Sequence, residues 1–122
     1  MAFKTEGEYQ DYQRSLFDFL WRTVEPLAHE IDASNRLPYE ELTPLFREHG
    51  LFGAVIPEEY GGIGLTTRQY LPVLAELSKI SGAVRVWIHV HNTSARAIAV
   101  YGKEEQKRQL LPKIAAGELS VA

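Results

Sequence analysis

Apolar residues recur along the first third of the chain in steps of three and four: Tyr9, Tyr12, Leu16, Phe19, Leu20, Val24, Leu27 and Ile31. Such spacing lines one face of a helix and predicts one over about residues 6 to 33, roughly seven turns long. Phe17 and Trp21 widen the stripe, so this helix is expected to pack on two sides. Pro26 lies within it, lacks an amide proton and predicts a kink, with Glu25 near the bend. Asn35 to Pro38 reads as a turn, with Pro38 opening a second helix at its first position, where a proline gives up no needed donor. Thr43-Pro44 leaves two options: a bend in that helix, or a fresh start capped by Thr43. Leu42, Leu45 and Phe46 supply its buried side, and Gly50 closes it.

Leu51 to Ile56 is short, apolar and partly β-branched, and is expected to be extended or looped rather than a full strand. Residues 57 to 64 then place three glycines in four positions, which requires a sharply turning backbone or positive φ. Thr66 and Gln69 have the spacing of a capping box. The helix behind them buries Tyr70, Leu74, Leu77 and Ile80, with Pro72 as an interruption. Ser81-Gly82 ends it, and Ala83 to Tyr101 forms the next helix, stopped by Gly102. That helix is apolar on most sides, which predicts a central position. From Lys103 to about Gly117 runs a charged amphipathic helix with Leu110, Leu111 and Ile114 inward, and Ser120 to Ala122 looks like the start of an extended segment. The sum is an all-α fold, a bundle of four to five helices with short connections.

Composition narrows the classes. The chain has 122 residues, 45% hydrophobic and 24% charged, so it can bury a core without disulfides or metal. A net charge of −3 with scattered Lys and Arg gives no footprint for nucleic acid. No cysteine is present, which removes thiolate chemistry and suits a reducing compartment. No apolar run approaches the roughly 20 residues of a membrane span, and the start has no signal-peptide core. A cytoplasmic protein is expected, or a matrix protein if eukaryotic.

Candidate chemistry is sparse. The Gly61-Gly62-Ile63-Gly64 loop fits neither glycine fingerprint for phosphates and reads as a structural turn, with Tyr60 as a packed loop aromatic. His89 and His91 are two apart, a rotation of about 200° on a helix, so they face opposite ways and cannot share a metal. His29 and His49 have no matched partners. Glu104-Glu105 opens a helix where the macrodipole favours negative charge, and Glu58-Glu59 flanks a turn. None of these is a good acid–base candidate, and no metal site is expected. Val86, Val90 and Ser94, four apart, form a narrow stripe of short side chains. It suits either close helix packing or a wall for an apolar ligand.

Three segments, in this order, resemble the acyl-CoA dehydrogenase family: residues 22 to 31 (RTVEPLAHEI), 50 to 65 (GLFGAVIPEEYGGIGL) and 90 to 119 (VHNTSARAIAVYGKEEQKRQLLPKIAAGEL). The stretch GKEEQKRQLLPKIAAGEL is the most specific. The resemblance covers essentially the whole chain and implies that residues 1 to 122 are the N-terminal helical domain of a three-domain flavoprotein. The central β-domain and C-terminal helical domain would lie outside this chain. It further implies FAD as cofactor and oxidation of an acyl thioester to its 2,3-enoyl form. A glutamate base takes the α-proton, a hydride passes to the flavin, and electrons leave to an electron-transferring flavoprotein. A homo-oligomer is expected.

Most flavin contacts and the catalytic glutamate of that family have no counterpart in these residues. No catalytic residue is therefore assigned, and the segment is expected to be inactive alone. The helix matching Ala83 to Tyr101 lines the acyl cavity in the family, which makes Val86, Val90 and Ser94 candidate cavity walls. Ser94 stands where a bulkier aliphatic is often found, so acyl length stays open. Asn92 matches a frequent family residue with a structural role. Oxidases, nitroalkane oxidases and flavin monooxygenases share the domain, so fold alone does not fix the chemistry. Two alternatives from other classes are a non-catalytic helical interaction module or partner subunit, and a free-standing bundle that binds a fatty acyl ligand.

Overall fold

The computed structural model describes residues 3–122. Helix α1 (Glu6–Phe19) starts at Thr5, whose hydroxyl accepts the Glu8 amide at 3.1 Å and so satisfies one of the first-turn donors. It runs through a π-helical stretch (Leu20–Val24) into α2 (Glu25–Ser34) without a break. Pro26, in the first turn of α2, explains the π stretch. A proline ring collides with the carbonyl four residues back, here that of Arg22, and one wider turn relieves the collision. The Glu25 amide accordingly bonds five residues back, to the Leu20 carbonyl. At Pro26, where the sequence predicts a kink, the helical backbone continues through a π turn. α2 ends at Asn35, in the left-handed region at φ 55° that asparagine tolerates.

Helix α3 (Tyr39–Glu48) begins one residue later than the sequence predicts. Pro38 stands just outside it at φ −78°, ψ 71°, because the Tyr39 amide bonds to the Leu37 carbonyl at 2.9 Å. That pattern is an inverse γ-turn, which holds ψ away from the helical value. Pro44 stays within α3, so the helix continues and no new one starts at Thr43. The missing amide of Pro44 leaves the carbonyl of Glu40 without its helical partner, and Glu40 is exposed to water.

The segment after α3 is neither strand nor surface loop. It makes two short 3₁₀ turns, Leu51–Gly53 and Glu58–Tyr60. Leu51, Phe52, Gly53, Ala54 and Ile56 are all buried. A buried loop must pair its own backbone. The Gly53 carbonyl takes the amides of Ile56 and Ile63 at 3.2 and 2.9 Å, and the Ala54 carbonyl takes that of Leu65 at 2.8 Å. Two glycines permit this. Gly61 sits at φ 92°, and a Cβ on Gly62 would lie 2.0 Å from the Ile56 carbonyl oxygen.

Both halves of the expected capping box open α4 (Thr67–Ile80): the Gln69 amide reaches Thr66 Oγ1 at 3.2 Å, and the Thr66 amide reaches Gln69 Oε1 at 3.0 Å. Ser81 ends α4 and caps α5 (Gly82–Tyr101), its hydroxyl accepting the Val84 amide at 3.3 Å. Helix α6 (Glu104–Ala115) follows, and residues 120 to 122 have no regular structure. No strand occurs among the described residues. With α1 and α2 counted as one rod, five helices form the all-α bundle that the periodicity predicts. The main core joins the rod, α3, α4 and the first half of α5 through Leu16, Leu20, Val24, Phe46, Leu77 and Ile88. A smaller core of Ile56, Tyr60, Ala95, Leu111, Ile114 and Ala115 joins the second half of α5 to α6. α5 touches α4, α6 and the buried loop, so it is central as expected.

Candidate functional site: an apolar groove along α5

The two sides of α5 are built differently. Its inner side buries Val84, Ile88, His91, Asn92 and Ala95. Asn92 is fully enclosed, and all its polar atoms are used. Its Nδ2 donates to the Leu51 and Ile88 carbonyls at 2.8 and 2.9 Å, and its Oδ1 accepts the Val55 amide at 3.3 Å. This one side chain therefore ties the buried loop to α5, the structural role expected of it. His91 Nε2 lies 2.9 Å from the Ile114 carbonyl of α6. Burial holds its pKa below the usual histidine range, opposed by the carbonyls of Ile114 and Phe52. The ring is thus neutral near pH 7, with the proton on Nε2 donated to Ile114.

On the outer side Val86 and Val90 remain 47% and 39% exposed. They border an open groove of 590 Å³, together with Leu37, Tyr39, Phe52 and Trp87, and Val121 and Ala122 lie along its edge. Trp87 is the hub of its aromatic floor. Its ring meets Tyr39 edge-on at 4.9 Å, and Phe46 and Phe52 at 5.2 and 5.6 Å between centroids. The other polar side chains at the lining are Thr43, His91 and Ser120, and none carries a charge near pH 7. An apolar trough with a few neutral polar groups suits an apolar ligand or chain rather than an ionic one.

Of the three predicted wall residues, Val86 and Val90 lie on this groove and Ser94 does not. Ser94 is half-buried one turn further on. Steps of four overrun a helical turn by about 40° each, so by the second step the stripe has rotated roughly 80° away from Val86. The stripe that does face the groove is Ala83, Val86, Trp87 and Val90, with steps of three, one and three. That pattern is legible in the sequence, whereas Tyr39 and Phe52 arrive from elements whose placement is not.

The remaining candidates are absorbed by packing. His89 turns to Tyr70, with Nδ1 3.3 Å from the hydroxyl, so it faces away from His91 as predicted. His49 stacks on Phe19, and its Nδ1 pairs with the Leu45 carbonyl at 3.0 Å. The Tyr60 hydroxyl donates to Glu104 Oε1 at 2.8 Å and Arg108 Nε to the same oxygen at 3.0 Å. These bonds fasten the glycine loop to α6 and, the Tyr60 bond first, hold the Glu104 carboxyl below its ordinary pKa. Among the described residues no group of acidic, histidine or cysteine side chains is spaced for a metal. For a flavin the fit is poor as well. The glycine turn is filled by its own atoms around Gly62, and no buried side-chain polar atom among the described residues lacks a partner.

Residues 6–118 match the family model described as acyl-CoA dehydrogenase, N-terminal domain. The chain belongs to the acyl-CoA dehydrogenase family. It is 34% identical over 102 residues to an acyl-CoA dehydrogenase of Bacillus subtilis, covering 83% of this chain and 27% of that protein. It is also 34% identical over 121 residues to a glutaryl-CoA dehydrogenase of Desulfococcus multivorans, covering 97% of this chain and 31% of the relative. The solved structure of a glutaryl-coenzyme A dehydrogenase with glutaryl-CoA superposes with a TM-score of 0.81 at 35% identity, covering 98% of this chain and 31% of that one. A chain from a structural study of an electron transferring flavoprotein of Acidaminococcus fermentans gives a TM-score of 0.83 at 29% identity, covering 98% and 32%. The chain thus spans less than a third of the length of these relatives. Among the described residues no helix is long and apolar enough to cross a membrane.

Proposed function

We propose that this chain works as the N-terminal helical domain of an FAD-dependent acyl-CoA dehydrogenase-type oxidoreductase and supplies one wall of its acyl cleft. The observation that carries the reading is the outward apolar side of α5, with Val86 and Val90 left exposed over an aromatic floor. An uncharged trough of this kind can hold the alkyl part of an acyl thioester and keep water from it. The reaction that the family carries out would be α,β-dehydrogenation of the thioester, with FAD supplying the hydride acceptor when bound. In this reading the flavin and the catalytic base belong to a central β-domain and a C-terminal helical domain, and residues 1 to 122 are inactive alone. An electron-transferring flavoprotein as electron acceptor, a homo-oligomeric assembly and a cytoplasmic or mitochondrial-matrix location complete the proposal. Mitochondrial isovaleryl-CoA dehydrogenase of Oryza sativa, 34% identical over 111 residues, supports the second location for a eukaryotic source.

The test places this chain in the Desulfococcus multivorans glutaryl-CoA dehydrogenase in place of its matching segment. Acyl selectivity is then measured with Val90→Phe and Ser94→Leu. Val90→Phe should change the ratio of kcat/KM between short and long acyl-CoA by about tenfold, the scale of a methylene or two in an apolar pocket. Ser94→Leu should act more weakly, because Ser94 lies off the groove. Unchanged selectivity in both variants sinks the wall assignment.

A further inference from the structure

The buried side of α5 is otherwise aliphatic or neutral amide, yet it carries an ionisable imidazole, His91, only 2% exposed. Three parts of the fold meet at this ring. Its Nε2 holds the Ile114 carbonyl in the last turn of α6 at 2.9 Å. Its plane meets Phe52 of the buried loop edge-on, with 5.2 Å between centroids. One edge of the ring borders the groove. The carbonyls of both Ile114 and Phe52 act on it. A neutral imidazole has one N–H and serves one carbonyl, whereas an imidazolium has two and can serve both. The added proton, however, puts a full charge into the bundle.

No charged side chain is placed to offset that charge. On α5 itself, His89 turns to Tyr70 and Arg96 to Thr67, while Arg85 is half-buried and acts on Tyr70. On α6 and just beyond it, Lys113 and Glu118 are exposed. From α3, Arg47 reaches the Ala116 carbonyl. Leu51 to Pro57 contains no ionisable group, and Tyr39 is the other titratable side chain at the groove. Burial is the largest influence on the ring, followed by the two carbonyls.

We propose that His91 is a proton-operated fastener at the junction of α5, α6 and the buried loop. Neutral, it locks α6 against α5; protonated, it loosens this junction and the groove beside it. The direction in pH follows from linkage. Burial depresses the ring's pKa in the fold, so the unfolded chain takes up the proton first. Stability is therefore full above about pH 6.5 and declines as pH falls below that value.

Two measurements on the full chain decide the matter. Ring resonances of the four histidines are titrated by NMR, and thermal unfolding is followed at about pH 7.5 and about pH 5.5 for wild type and His91→Gln. Glutamine keeps a donor but does not titrate. The His91 ring, identified by its contacts to Phe52, should titrate below the ordinary histidine range, and the amide signals of Phe52 and Ile114 should shift with it. Wild type should also lose more Tm between the two pH values than His91→Gln. If the variant does not fold, the wild-type ring titration with the two amide signals decides alone. A His91 ring that titrates in the ordinary histidine range overturns the proposal, as do parallel losses of Tm in the two proteins.

Discussion

The inner and outer sides of α5 come from one helix and similar residues, yet they solve opposite problems. Inward, Ile88 and Ala95 are fully covered, and the polar Asn92 and His91 between them have carbonyl or amide partners. Outward, Val86 and Val90 are as apolar as their inner neighbours but stand open above Trp87 and Tyr39. The inner side shows how a bundle keeps the loop after α3 inside it: a buried polar side chain is affordable only when every atom finds a partner. The outer side shows apolar surface that intramolecular packing does not consume. On a small domain such a surface marks a contact or ligand face.

Substitutions along α5 should separate the two sides sharply. Asn92→Ala removes the donor to the buried Leu51 carbonyl and the acceptor for the part-buried Val55 amide; a loss of about 3 kcal/mol is expected by urea unfolding. Ala95→Leu forces extra methylenes into the small core beside Leu111 and Ile114 and should cost about 2 kcal/mol in the same assay. Val86→Thr, on the open side, should change stability by no more than about 0.5 kcal/mol. If Val86→Thr proved as costly as Ala95→Leu, the two sides would not differ as described.

Much of this was legible in the sequence, because helix periodicity and caps are local. The stripe from Tyr9 to Ile31, the Thr66–Gln69 box and the stop at Gly50 all appear where spacing predicts them. Proline effects were legible in position but not in form. Pro26 produced a π turn, Pro38 a γ-turn outside the helix, and Pro44 a missing amide within a helix that continues, since each depends on what the neighbouring backbone can do. The segment from Leu51 to Ile56 was harder. Its burial rests on Asn92, 41 residues away from Leu51, and no local pattern encodes such a tether. Of the stripe spaced by four, Val86 and Val90 border the groove and Ser94 sits beyond it, because a step of four drifts around the helix. Tyr39 and Phe52 reach the same trough from distant parts of the chain.

The most direct test of the account is an activity and absorption measurement on the 122-residue chain itself, incubated with FAD and a series of acyl-CoA thioesters and an artificial electron acceptor, and then desalted. A folded helical protein that retains no flavin colour and turns over no substrate is expected. Dehydrogenation by this chain alone, or flavin that stays bound and is bleached by acyl-CoA, would contradict it. Either result would show that residues 1 to 122 hold a complete site rather than one wall of it.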